Sequence, residues 1–314
     1  MISTPASIRR GTLVGSTAVL LWGTLATLTV LSGDIPPFQL LALAFTLATL
    51  IGFLPALWRG LSTRASRSVR DEEGTKQEAR VSNPRYKLPP AVWALGIYGL
   101  FGYHFAYFMA LRLAPPVEAN LINYLWPLLI VLLSGLLPGE RLGARQVGGA
   151  LAGFAGAALL VARGGGLRFD GQYALGYAFA LACAVIWSSY SVLSRRVGSL
   201  GERGVPTRAV GGFCAATAAL ALVCHLLFEQ TVWPVGWQWA AIVALGLGPV
   251  GAAFYVWDYG VKRGNIQTLG VLAYGAPLLS TLLLVAVGLA EPSWTLAAAC
   301  ALIVGGAVIA SWKG

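Results

Sequence analysis

The sequence predicts an all-α integral membrane protein: ten transmembrane helices arranged as two inverted five-helix repeats around a central cavity. Three observations predict it. Apolar stretches near the roughly 20 residues that a helix needs to cross a bilayer recur ten times along 314 residues. Lys and Arg concentrate in alternate connections between those stretches. The chain also matches itself at a shift of 150 residues. A mean hydropathy of +0.72 with 11% charged residues fits none of the soluble classes, for which about 25% charged residues is usual.

The predicted spans are 11–31, 38–58, 91–111, 117–137, 144–163, 174–194, 209–228, 238–258, 266–288 and 293–312. The first follows Arg9 and Arg10 as a secretory signal would, but its apolar run exceeds the roughly 7–15 residues of a signal core. It also ends in Leu31-Ser32-Gly33-Asp34 without a small-x-small cleavage site, so it is expected to be retained. After the second span, the 59–90 loop alternates Arg64, Arg67, Arg70, Lys76 and Arg80 with Asp71, Glu72, Glu73 and Glu78, which predicts a solvated linker. The third carries Tyr103, His104 and Tyr107, the fourth has Pro127 in its middle, and the fifth has Gly149 and Gly153 at the spacing of close helix packing. Trp187 lies in the middle of the sixth; the seventh and eighth are almost wholly apolar; Pro277 interrupts the ninth; Gly305-Gly306 marks the tenth. Within the spans the only charges are Glu118, Arg145, Arg163 and Asp258, all near predicted ends, where long side chains reach water. Cys183, Cys214, Cys224 and Cys300 lie inside spans with no CxxC pair, which predicts buried thiols, no disulfide framework, no metal site and no cofactor.

A net charge of +10 would suggest nucleic acid in a soluble protein, but here its distribution matters. Nineteen of the 22 Lys and Arg fall on the side that carries both termini, and only Arg112, Arg163 and Arg168 fall on the other. The positive-inside rule therefore places both termini of a multi-pass membrane protein in the cytoplasm, with lipid as its surroundings and no nucleic-acid partner. Trp58, Trp93, Trp233, Trp237, Trp239, Trp257, Trp294 and Trp312 lie near predicted span ends, as interfacial belts require. Trp22, Trp126 and Trp187 do not.

At the shift of 150, Asn123-Tyr124-Leu125-Trp126-Pro127-Leu128-Leu129 aligns with Ala273-Tyr274-Gly275-Ala276-Pro277-Leu278-Leu279, and Gly156-Ala157 with Gly306-Ala307. Trp22 pairs with Trp187 at a shift of 165. The repeats are then residues 1–165 and 166–314. Because five spans is an odd number, the second enters the membrane upside down, the arrangement on which alternating access rests. With Trp22-Gly23, Gly139-Glu140-Arg141 and the Gly-rich fifth and tenth spans, these residues resemble the drug/metabolite transporter superfamily, with two EamA-type repeats and ten helices. The segment Asn120-Leu121-Ile122-Asn123-Tyr124-Leu125-Trp126-Pro127 resembles its aromatic amino acid exporter branch.

Deep polar and aromatic residues mark where a substrate would sit, since such groups need partners or a wet cavity. Asn120, Asn123, Tyr124 and Pro127 share one face of the fourth span; Trp187, Tyr190, Ser191 and Ser194 one face of the sixth; Tyr103 and Tyr107 one face of the third; Gly270, Tyr274 and Pro277 one face of the ninth. Each stripe reads either as cavity lining or as helix packing. The candidate substrate-binding set is Trp22, Tyr103, His104, Tyr107, Asn120, Asn123, Tyr124, Trp187, Tyr190 and Tyr274. Pro127 and Pro277 are candidate hinges that free the carbonyls of Asn123 and Ala273, for a substrate ammonium or for local rearrangement. With no Lys or Arg deep in a span, polyanions lack a counter-charge; with no deep carboxylate, tight proton coupling lacks a relay. A neutral or zwitterionic small molecule with an apolar side chain fits. The resemblance implies export of aromatic and possibly other neutral amino acids, as a facilitator. Another neutral metabolite of the same superfamily is the alternative, and a membrane-embedded enzyme the remote one, since no HExxH, GxSxG or P-loop motif occurs.

Overall fold

The computed structural model describes residues 4–70, 88–162, 169–198, 204–286, 291 and 293–311, with backbone only at 54–70 and 284. The expected repeat boundary at 165/166 lies outside them, as do Arg163, Arg168, Trp312 and the side chain of Trp58.

Ten apolar crossings are seen among the described residues, nine long enough to span a membrane by themselves and a shorter apolar stretch, Pro37–Phe53. The first is α1 (Pro5–Gly23) and α2 (Leu25–Leu31), the second α3 (Pro37–Arg70), the third α4 (Pro90–Ile97) and α5 (Tyr103–Leu113). The fourth is α6 (Pro116–Asn123) and α7 (Trp126–Ser134), the fifth α8 (Ala144–Val161), the sixth α9 (Ala174–Gly198) and the seventh α10 (Ala209–Phe228). The eighth is α11 (Trp237–Leu247) and α12 (Ala253–Arg263), the ninth α13 (Ile266–Leu272) and α14 (Gly275–Ala286), the tenth α15 (Trp294–Ser311). Four helices begin on proline, whose fixed φ suits a first turn where no N–H is needed. Side chains also cap helix starts, that of α1 included: Thr4 accepts from Ser7 N at 3.3 Å and Asn265, before α13, from Thr268 N at 2.9 Å.

The irregularities of the helices repeat. A wide π-helical turn at Tyr98–Gly102 joins α4 to α5, and another at Gly248–Ala252 joins α11 to α12, 150 residues later. The fourth crossing breaks at Tyr124-Leu125 and the ninth at Ala273-Tyr274, nearly the same shift. In lipid an unmade backbone hydrogen bond is costly, so breaks survive only where other groups satisfy it. They therefore mark the interior.

Several helices run past the ends expected from the sequence, whereas α7 and α8 stop two or three residues short. The first helix starts at Pro5 and takes in Arg9 and Arg10, α9 continues through Arg195 and Arg196, and α12 continues to Arg263. The beginning of the 59–90 segment, expected to be linker, is helix as far as Arg70, and the rest from 71 to 87 lies outside the described residues. Hydropathy reports where the apolar run stops, whereas a helix with basic residues in its last turn continues into the headgroups, favoured by its own dipole.

Contacts define two faces. At the face where α1 begins, Asn265 N donates to Thr12 Oγ1 at 2.9 Å and Gln267 Nε2 to Arg141 O at 3.0 Å. Arg195 there donates to the carbonyls of Val261 and Gly264, each at 2.7 Å, and pairs with Glu140. At the far face the Glu229 carboxylate accepts from Phe38 N at 3.0 Å and Gln39 N at 3.1 Å, capping α3. His225 is buried there between Glu229 and Thr231. Against the fifth crossing the tenth packs backbone to backbone. A side chain on Gly149 would collide with the Gly306 carbonyl, and one on Gly156 would come within 2.7 Å of Ile303. All four cysteines are free, Cys183 and Cys214 buried and Cys224 and Cys300 half-buried.

Candidate functional site

At the centre the helix breaks deliver tryptophans. Trp22 stands at the end of α1, just before the first crossing breaks at Thr24, and Trp126 opens α7, just after the break in the fourth. Both meet Trp187 of α9 and Trp257 of α12. Ring centroids are 5.9 Å apart for Trp22 and Trp126, 6.0 Å for Trp22 and Trp187, 5.0 Å for Trp22 and Trp257, and 5.8 Å for Trp126 and Trp257. Most meet edge to face, the arrangement an aromatic quadrupole favours. Phe254 joins them at 5.5 Å from Trp187 and stacks on Phe45 at 5.6 Å.

Above this cluster, toward the far face, lies a polar tier. Tyr103 and Tyr107 stack in parallel at 6.1 Å, and Tyr103 also meets Trp187 at 5.6 Å. The Tyr107 hydroxyl donates to Asn120 Oδ1 at 2.8 Å, Asn120 Nδ2 to Pro116 O at 2.8 Å, and Asn123 Nδ2 to the Tyr103 oxygen at 3.1 Å. His104 Nδ1 lies 2.7 Å from the Leu100 carbonyl in the π turn, so Nδ1 carries a proton and donates it there. Asn123 is 5% exposed, and its Oδ1 has no hydrogen-bond partner. A buried acceptor left unmade costs about 1–3 kcal/mol. Asn123 therefore holds an acceptor ready in the apolar interior.

Apart from buried Asn123 and half-buried Trp22, burial is graded along this axis. Trp126, Trp187, Tyr190, Phe254 and Trp257 are buried, whereas Trp22, Tyr103, His104, Tyr107, Asn120 and Tyr124 keep part of their surface. Tyr190 and Trp257 lie one turn beyond Trp187 and Phe254 toward the face where the chain begins, and Tyr107 and Asn120 lie toward the far face. The aromatic cluster thus forms a floor beneath a more open polar tier.

Of the ten residues singled out in the sequence, the structure brings together Trp22, Tyr103, His104, Tyr107, Asn120, Asn123, Trp187 and Tyr190, the last 5.4 Å from Trp187. Tyr124 sits at the border and packs against the cluster around Tyr274. Tyr274 itself stands apart. Its hydroxyl accepts from Leu128 N at 3.1 Å, an N–H that the break in the fourth crossing leaves without a helical partner, and its ring fills the space over Gly153. Pro127 follows the break between α6 and α7. At Pro277 the freed carbonyl of Ala273 is taken by Ala276 N at 3.1 Å, the local rearrangement rather than an open acceptor.

Sequence reasoning missed three members of the centre. Trp257, expected in an interfacial belt, is 1% exposed inside the cluster, because α12 runs five residues past the predicted end of its span. Trp126 was noted as deep but not assigned to the site, and Phe254 was overlooked. The repeat would have found two of them: at a shift of 150, Phe254 corresponds to His104 and Trp257 to Tyr107. The same helix carries Asp258, expected near a span end, five residues before its last residue. Asp258 is buried within α12 and paired with Lys262. No cluster of His, Cys, Asp or Glu suited to a metal occurs among the described residues.

A bundle of apolar crossings, broken in matching places around an aromatic and amide-lined centre, is the architecture of a membrane transporter. The chain belongs to the EamA-like transporter family, whose model matches residues 9–162 and 174–312, one segment for each half. It is 55% identical over 301 residues to the aromatic amino acid exporter YddG of Ancylobacter novellus, covering 96% of both chains. It is 25% identical over 173 residues to the aromatic amino acid exporter YddG of Escherichia coli K12, covering 53% of this chain and 57% of that protein. A solved crystal structure that is 55% identical superposes with a TM-score of 0.84, covering 96% of this chain and 98% of the other.

Proposed function

We propose that this protein exports aromatic amino acids, and other neutral amino acids with apolar side chains, across the bacterial inner membrane by alternating access. The observation that carries the reading is the 55% identity over 96% of the chain to an aromatic amino acid exporter. The geometry supports it. Tryptophan and tyrosine rings at Trp22, Trp187, Tyr103 and Tyr107 offer faces and edges to an aromatic side chain, and the unpartnered Oδ1 of Asn123 offers an acceptor to an ammonium. Tyr103, His104, Tyr107, Asn120, Asn123, Trp22, Trp187 and Tyr190 line the binding site, Tyr124 borders it, and Tyr274 serves helix packing. Pro127 and Pro277 act at the matching helix breaks as hinges between the two five-helix halves, 1–165 and 166–314.

The basic face is cytoplasmic and carries both termini. The aromatic floor then closes the cytoplasmic side and the polar tier faces outward. Transport is facilitated diffusion and the chain is a carrier, not an enzyme. Competition for labelled phenylalanine exchange in proteoliposomes tests the substrate class: tyrosine, tryptophan and leucine compete, glutamate and lysine do not. Equal competition by glutamate or lysine would overturn the reading.

A further inference from the structure

The polar tier has an acceptor for an ammonium but no charged group for a carboxylate, since none of the described Lys or Arg lies in it. A cation fixed there would stand uncompensated in the apolar interior whenever the site is empty, and an isolated buried charge is among the costliest groups a fold can carry. The carboxylate of a zwitterion is then met by neutral donors. Hydrogen bonds to an ionised group are stronger than those between neutral ones, so a well-placed neutral donor suffices.

The two stacked tyrosines use their hydroxyls differently. That of Tyr107 donates to Asn120 Oδ1 at 2.8 Å, and Asn120 is held in turn by its bond to Pro116 O, so the Tyr107 proton is taken. The Tyr103 oxygen instead accepts, from Asn123 Nδ2 at 3.1 Å. Its own proton therefore points away from that amide, and no group among the described residues takes it. On the same amide, Asn123 Oδ1 is the buried acceptor without a partner. A free O–H donor and a free carbonyl acceptor thus flank one amide nitrogen. An α-amino acid carries the complementary set on a single carbon: an ammonium that only donates and a carboxylate that only accepts. The ring of Trp187, 5.6 Å from that of Tyr103, stands beside them for the side chain.

We infer that Tyr103 and Asn123 form a neutral clamp for the zwitterionic head of the substrate, in which the Tyr103 hydroxyl donates to the α-carboxylate while Asn123 Oδ1 accepts from the α-ammonium. Tyr103 is thereby the residue that selects amino acids over amines. Empty or loaded with a zwitterion, the clamp has no net charge, so both forms of the carrier present the membrane interior with the same balance. A charged side chain finds no partner in it. The inference rests on the reading that the substrate is an amino acid, and adds the donor for its carboxylate.

The test pairs variants with ligands. Isothermal titration calorimetry on the purified full-length protein in detergent compares phenylalanine with 3-phenylpropionate, which keeps the carboxylate alone, and phenethylamine, which keeps the ammonium alone. Tyr103→Phe weakens phenylalanine and 3-phenylpropionate by about tenfold or more and leaves phenethylamine within about twofold. Asn123→Leu does the converse: phenylalanine and phenethylamine lose about tenfold or more, and 3-phenylpropionate stays within about twofold. Should Tyr103→Phe fail to fold, the Asn123→Leu half of the pattern and the preference of the parent protein for phenylalanine over phenethylamine decide. Equal loss of all three ligands in Tyr103→Phe would mark a merely structural hydroxyl, and loss confined to phenethylamine would reverse the two roles; either overturns the clamp. So does phenylalanine bound by folded Tyr103→Phe as tightly as by the parent, or not bound by the parent at all. Exchange of labelled phenylalanine in proteoliposomes keeps the two readings apart: exchange with any other ligand pattern sinks the clamp alone, and the expected pattern without exchange sinks the exporter reading alone.

Discussion

Replacing Asn123 by leucine separates binding from stability more cleanly than any change to the tryptophans. The substitution keeps nearly the same volume and removes both polar atoms. It forfeits the 3.1 Å bond from Nδ2 to the Tyr103 oxygen, worth about 0.5–1.5 kcal/mol, and it removes the buried, unpartnered Oδ1, whose desolvation costs about 1–3 kcal/mol. The two effects oppose each other, so thermal stability in detergent stays close to that of the parent protein. Binding loses more. A hydrogen bond to a charged group is worth about 1.5–3 kcal/mol, so the Vmax/KM of phenylalanine exchange in proteoliposomes falls about 10- to 150-fold. Unchanged Vmax/KM in a folded Asn123→Leu protein would refute the argument that the orphan acceptor awaits the substrate ammonium.

Tyr274→Phe gives the opposite pattern, because its hydroxyl serves only Leu128 N: melting temperature falls while KM for exchange stays within twofold. Gly149→Val forces the fifth and tenth crossings apart at the Gly306 carbonyl and costs about 1–3 kcal/mol of overpacking, read as a lowered melting temperature with substrate preference unaltered. Glu229→Ala uncaps α3 and leaves buried His225 without its carboxylate; losing a cap alone costs about 1 kcal/mol, and hydrogen exchange at the far-face end of α3 reports the fraying.

The sequence made the crossings legible because bilayer thickness imposes a length and a polarity that few residues can disguise. The shared faces were legible for the same reason, but that the stripe of Asn120 and Asn123 meets that of Tyr103 and Tyr107 through hydrogen bonds is seen only in the structure. What escaped was set by helix ends. The apolar run of the eighth span stops near Asp258, yet the helix continues through Lys262 and Arg263, and those extra turns carry Trp257 and Asp258 into the interior. Tyr274 illustrates the other gap. At the shift of 150 it matches Tyr124, but its ring turned to the fifth crossing, where Gly153 leaves room and a broken helix leaves an N–H to satisfy. Neither a partner orphaned by a distant helix break nor the direction of a ring is written in hydropathy.

Counterflow of labelled phenylalanine into proteoliposomes preloaded with unlabelled phenylalanine, with no pH gradient and no membrane potential, tests the central claim most directly. The account predicts saturable accumulation of label that unlabelled tryptophan abolishes. Label that stays at the level of protein-free vesicles, with the protein shown to be folded in the bilayer, would contradict it.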